Sequence, residues 1–166
     1  MVSSELLRRY PFFAGLTHDQ IQTLATVANE ESVEAGHYFF HEGDRLNKLF
    51  LVIAGTIDIV VGVPDHNEVQ ETANQILGNF INEDIAVSTV SPGQIFAWSA
   101  LIPPHKSTAG AISAKSSIVV TFDREDFTEI FRSDCEFRYL MLEKVAGVIR
   151  QRLRDMRIQS LAFIPA

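Results

Sequence analysis

A chain of 166 residues is long enough for one well-buried core and too short for two ordinary domains. Its 46% hydrophobic and 21% charged residues describe a globular protein, and a formal net charge of −7 argues against broad nucleic-acid binding, which needs clustered Lys and Arg. No apolar run reaches the roughly 18–20 residues needed to span a bilayer, the first ten residues lack a signal-peptide core, and Cys135, the single cysteine, rules out an internal disulfide. The expectation is a cytoplasmic protein that does not meet a membrane.

Taken in order, the chain first reads as helical. Ser4 to Tyr10 forms a short helix stopped by Pro11. Thr17-His18-Asp19-Gln20 has capping-box form, and the helix it opens places Ile21, Leu24, Ala25 and Ala28 on one face. From Ser32 onward strands are expected: Val33, His37 to Phe40, Leu49 to Ala54 and Thr56 to Val63, with turns at Gly36, Gly43, Gly55 and Gly62.

Asp65-His66-Asn67-Glu68 reads as a polar turn, and Val69 to Asp84 as loop, helix or strand extension. Ile85 to Val90 alternates and returns the chain to the sheet, and Ser116 to Phe122 is a final strand. Asp123 is placed to cap a helix over Arg124 to Phe131, and Ser133-Asp134-Cys135-Glu136 is a second capping box. The helix from Glu136 to about Ile158 carries Leu142, Val145, Ile149, Leu153 and Met156 as a stripe that can bury against the sheet or against a second copy of itself.

The expected fold class is therefore α+β, mainly β. It is a jelly roll of about eight antiparallel strands over about residues 32–122, with N-terminal helices and C-terminal helices over about 124–158, all in one domain, 1–166.

Several ordered fragments resemble the cyclic-nucleotide-binding domain family. Pro11-Phe12-Phe13-Ala14-Gly15-Leu16 is similar to the family's entry motif. Glu34-Ala35-Gly36 followed by Phe40-His41-Glu42-Gly43-Asp44 is similar to its glycine turn and Gly-Asp strand, and Leu49 to Ile57 to its most recognisable strand pair. Gly93 to Ala111 resembles its phosphate-binding cassette, in which a glycine and a glutamate open a short helix and an arginine follows about ten residues later. Here the glutamate position falls on Trp98 and the arginine position on Thr108.

What the resemblance implies is a stand-alone sensory module whose ligand is a cyclic nucleotide such as cAMP or cGMP. Ala97, Trp98, Ser99 and Ala100 would form the phosphate-facing helix start. Ser107, Thr108 and Ala109 would form the corner, with Lys106 as a charge partner. Ligand binding would act through the C-terminal helix, which also predicts a homodimer or a protein partner. An alternative is a member that has lost its ligand, with Trp98 plugging the pocket, and works as an interaction or dimerisation module.

Two other chemistries read poorly. His37, His41 and Glu42 invite comparison with the cupin metal site, but no third or fourth ligand follows at useful spacing, so surface histidines are the reading. No nucleophile elbow, Walker loop or dinucleotide fingerprint occurs, and no enzyme is expected. Lys144, Arg150, Arg152, Arg154 and Arg157 make the last helix basic. A helix-turn-helix of the kind found in transcription-factor relatives would need more chain than remains, so direct DNA binding is not expected.

Overall fold

The computed structural model describes residues 2–64 and 82–161. The elements in order are α1 (Ser4–Arg8), a 3-10 turn (Pro11–Phe13), α2 (His18–Val27), β1 (Ala28–Val33), β2 (Tyr38–Phe40) and β3 (Lys48–Pro64). Then come β4 (Asn82–Val90), β5 (Ile95–Phe96), a second 3-10 turn (Trp98–Leu101), β6 (Gly110–Asp123), α3 (Arg124–Ser133) and α4 (Cys135–Leu161). The turn expected over Asp65–Glu68, and most of the undecided stretch Val69–Asp84, lie outside the described residues; from Asn82 the chain is strand.

α2 opens as expected. The Thr17 hydroxyl accepts from the Gln20 amide at 3.2 Å, and the Gln20 side chain accepts from the Thr17 amide at 3.0 Å. Ile21, Leu24 and Ala25 are buried on its inner face. The helix ends one residue earlier than its apolar face suggests: Ala28 is already strand and pairs with Phe122. Asn29, Glu30 and Glu31 hide this strand in the sequence, because their polar side chains lie exposed or half-buried while the backbone completes the sheet.

The strands are all antiparallel, ordered β1-β6-β3-β4, with β2 beside β6 and β5 beside β3. Among the described residues six strands stand where about eight were expected, and two of them are long. Gly55 is not a turn between strands. At φ +88° it is a bulge inside β3, and pairing with β6 continues on both sides, Ala54 with Ile118 and Thr56 with Lys115. Gly62 is likewise inside β3, opposite Asp84. β6 begins at Gly110, earlier than the expected Ser116.

At the C-terminal end, Asp123 occupies the N-cap of α3 without a side-chain hydrogen bond, and the Arg124 amide donates instead to the Asn47 carbonyl at 2.7 Å. The second capping box is also not formed as read. The Phe137 amide donates to Asp134 Oδ1 at 2.8 Å, while the Ser133 hydroxyl turns back to the Ile130 carbonyl at 2.9 Å. Asp134 is the cap because α4 starts one residue later than the serine would require.

Two apolar cores result. The helix-side core joins Leu7, Phe13, Leu24 and Ile95 to Phe122, Phe127, Phe137, Met141 and Val145. The inner core of the roll joins Leu46, Phe50, Val52, Ile57, Val90, Phe96, Ala100, Ala111 and Val119, with Phe39, Phe40 and Ile59 packed against it. The stripe on α4 divides accordingly: Val145 is fully buried, whereas Leu153 and Met156 are 47% and 55% exposed.

Candidate functional site

The cassette stretch is built from a strand end, a left-handed corner and a short helix. β5 pairs with β3 through Phe50–Phe96 and Leu51–Ile95. The chain then turns at Ala97, φ 63° and ψ 31°, a conformation that costs a non-glycine residue about 1–3 kcal/mol. The 3-10 turn Trp98–Leu101 follows, with the Ala100 amide donating to the Ala97 carbonyl at 3.0 Å. The first amides of such a turn have no acceptor within it, so Trp98 and Ser99 present N–H groups at its start.

Neighbouring residues face opposite cores here. Ala97 and Ala100 are buried in the inner core of the roll. Trp98 is half-buried and packs against the helix-side core that holds Phe137, Met141 and Val145 of α4. The ring pack inside the roll is made by other aromatics: Phe50 stacks on Phe96 at 4.8 Å, and Phe39 meets both edge-on at 5.2 and 5.1 Å.

The loop back to β6 passes the cis Pro103–Pro104 bond and His105, whose φ is 62°. The Nδ1 atom of His105 is buried and has no hydrogen-bond partner among the described residues. Lys106 is exposed and pairs through its main chain with Arg45. Leu46 and Ser107, their neighbours, are buried, so strand alternation turns Lys106 and Arg45 outward together.

Ser107 is 6% exposed, and its hydroxyl donates to the His41 carbonyl at 2.7 Å, with the Asp44 carbonyl at 3.3 Å. Main-chain bonds flank it, from Ser107 N to Asp44 O at 2.9 Å and from Gly43 N to Ser107 O at 3.1 Å. Ser107 thus ties the cassette to the Gly43-Asp44 turn. Thr108 is exposed, Ala109 is half-buried, and the chain enters β6 at Gly110.

The structure therefore groups Ala97 with Ala100, Trp98 with the helix-side core, Lys106 with Arg45, and Ser107 with His41 and Asp44. Arg45 is the residue missed in the sequence. It lies about sixty positions from Lys106 in the chain, and nothing local signals the pairing. His37 and His41 flank β2 and are exposed, the first edge-on to Phe39 at 5.1 Å and the second stacked on Tyr38 at 4.4 Å. Among the described residues no group of three His, Cys, Asp or Glu could hold a metal.

The C-terminal helix is tied down at two further points. Lys144 Nζ donates to the Ala14 carbonyl, and the Arg152 guanidinium donates to the Thr89 carbonyl at 3.2 Å. Beyond Arg152 the helix presents Leu153, Met156, Ile158 and Leu161 to solvent. No helix among the described residues is long and apolar enough to cross a membrane.

Comparison with known proteins agrees with this architecture. A family model described as "Cyclic nucleotide-binding domain" matches residues 30–134. A cGMP-dependent protein kinase of Caenorhabditis briggsae is 25% identical over 155 residues, which cover 92% of this chain but only 19% of the kinase. A candidate cyclic nucleotide-binding protein of Geobacter metallireducens GS-15 superposes with a TM-score of 0.74 at 26% identity, covering 92% of this chain and 99% of the other. The Thermus thermophilus catabolite activator protein shares the fold, with a TM-score of 0.63 at 20% identity, 92% of this chain and 63% of that one being covered.

Proposed function

The chain belongs to the cyclic nucleotide-binding domain family, and from that premise we propose that it is a regulatory module that senses a small ligand, a cyclic nucleotide such as cAMP or cGMP, and works through α4 rather than by catalysis. In this reading the Trp98 and Ser99 amides and the Thr108 hydroxyl meet the phosphate beside Ala97, Ala100 and Ala109. Lys106 and Arg45 supply positive potential from the outer side of the same strand pair. Ser107 holds the corner in place.

The observation that carries the reading is the opposed packing of Ala97 and Trp98. Ala97 touches the roll interior, and Trp98 touches the core shared with Phe137 and Met141 of α4. A ligand that shifts the cassette backbone therefore disturbs the helix-side core, which holds Phe127 of α3 as well as Phe137 and Met141 of α4. It biases α4 only to the extent that it binds one arrangement better than the other.

Titration calorimetry with cyclic AMP and cyclic GMP tests this: saturable heat from either nucleotide is expected. Silence with both at millimolar concentration removes the nucleotide reading.

A second reading has its own observation. Phe39, Phe40, Phe50 and Phe96 fill the roll interior, which suits a ligand-free module that pairs through the exposed end of α4. We infer a homodimer along Leu153 and Met156 in either case. A native mass spectrum of the purified chain reports cargo and subunit number together, and Leu153→Glu with Met156→Glu is expected to halve the mass.

A further inference from the structure

We propose that the groove between α4 and the Pro11–Phe12 turn is a second ligand site, distinct from the Trp98–Ala109 corner, for a small amphipathic monocarboxylate. The groove also borders Gly93–Ile95 and has a volume of about 330 Å³, within the roughly 300–1,000 Å³ range of small-molecule pockets. Phe12, Ile95 and Val148 line it with apolar surface, and Lys144 and Arg152 bring two cations to the same groove.

The two cations are only partly compensated there. Lys144 and Arg152 donate to the main-chain carbonyls of Ala14 and Thr89, and among the described residues no carboxylate lies within 4.0 Å of either. Asp155 also lines the groove, but its Oδ1 accepts from the Gln151 amide at 2.8 Å. Arg152 is half-buried, and its burial lowers its pKa against the opposing pull of the Asp155 charge. It keeps its charge, because free guanidinium ionises far above neutral pH, and a carboxylate would meet it in fork geometry. Two cations against one carboxylate leave a single positive charge, which suits a monoanion better than a dianion.

Gly147 adds an independent observation. Glycine is a poor residue for a helix interior, and packing within the chain does not require it at this position, since a Cβ there would meet nothing within 4 Å. Gly147 lines the groove, and the missing side chain leaves the helix backbone open to an occupant.

The test is calorimetric titration of the full chain with octanoate, octan-1-ol and octylamine. Octanoate is expected to bind one per chain, octanol at least tenfold more weakly, and octylamine without measurable heat. Arg152→Gln should weaken octanoate at least tenfold, and Gly147→Leu should abolish its binding while the thermal midpoint holds or rises. Equal binding of octanoate and octanol, or octanoate binding that survives Gly147→Leu, overturns the proposal. So does a dimer in sedimentation that Gly147→Leu dissociates, because a second copy would then fill the groove.

Discussion

Gly55 approaches Ser117 so closely that a Cβ on the glycine would stand 2.1 Å from the Ser117 hydroxyl oxygen and 2.6 Å from its Cα. The contact crosses the bulge where β3 passes β6, and the Thr56 amide donates to that same hydroxyl at 3.1 Å. With a φ of +88° as well, Gly55→Ala meets both a clash and an unfavourable backbone. It should cost about 3 kcal/mol or more, seen as a large drop in the urea midpoint. Adding Ser117→Gly should restore little, because the Cα clash remains; full recovery would show that the hydroxyl alone sets the bulge.

Asp134, not Ser133, caps α4. Asp134→Ala should destabilise by about 1 kcal/mol, or roughly 2–4 °C in Tm for a domain of this size. Ser133→Ala should lie within about 0.5 kcal/mol of the parent. Thermal unfolding of both variants decides, and the reverse ranking would contradict the Phe137 amide contact.

Thr108 is exposed where the family resemblance places an arginine. Thr108→Arg therefore tests the cassette by gain rather than loss. One charge-assisted hydrogen bond contributes about 1.5–3 kcal/mol, so affinity for cyclic AMP should rise by about 10- to 100-fold. Calorimetry that returns the parent affinity would count against this corner as a phosphate site.

Tyr38 donates to Asp84 Oδ2 at 2.6 Å, joining β2 to β4 across the outside of the roll. That hydrogen bond, then desolvation, then the carboxylate's charge raise the phenol's pKa above its ordinary value of 10.0. The folded state thus favours the neutral phenol. The stability this link contributes is fully present below the unfolded pKa and is lost as pH rises through the raised folded value. Unfolding midpoints of the parent and Tyr38→Phe should therefore converge in strongly alkaline solution, and Asp84→Asn should bring the phenolate absorbance transition back toward the ordinary value.

Elements set by neighbours in the chain were legible in advance. The Thr17–Gln20 box, the strand Ile85–Val90 and the helical stripe through Val145 each depend on residues a few positions apart. Elsewhere a long-range contact overrides the local signal. Gly55 and Gly62 read as turns because glycine often marks them, yet sheet pairing carries β3 through both. The polar residues Asn29 to Glu31 hide the start of β1, a strand completed by β6.

The sequence by itself determined the roll, its flanking helices and the family likeness. These rest on local periodicity and on residue identity at given spacings. Only the tertiary structure decided what the cassette residues touch. It turned Ala97 and Trp98 toward different cores, tied the Ser107 hydroxyl to His41 and Asp44, set Arg45 beside Lys106, and left Gly147 facing an open groove. Those relations join residues tens of positions apart, and only chain closure brings such residues together.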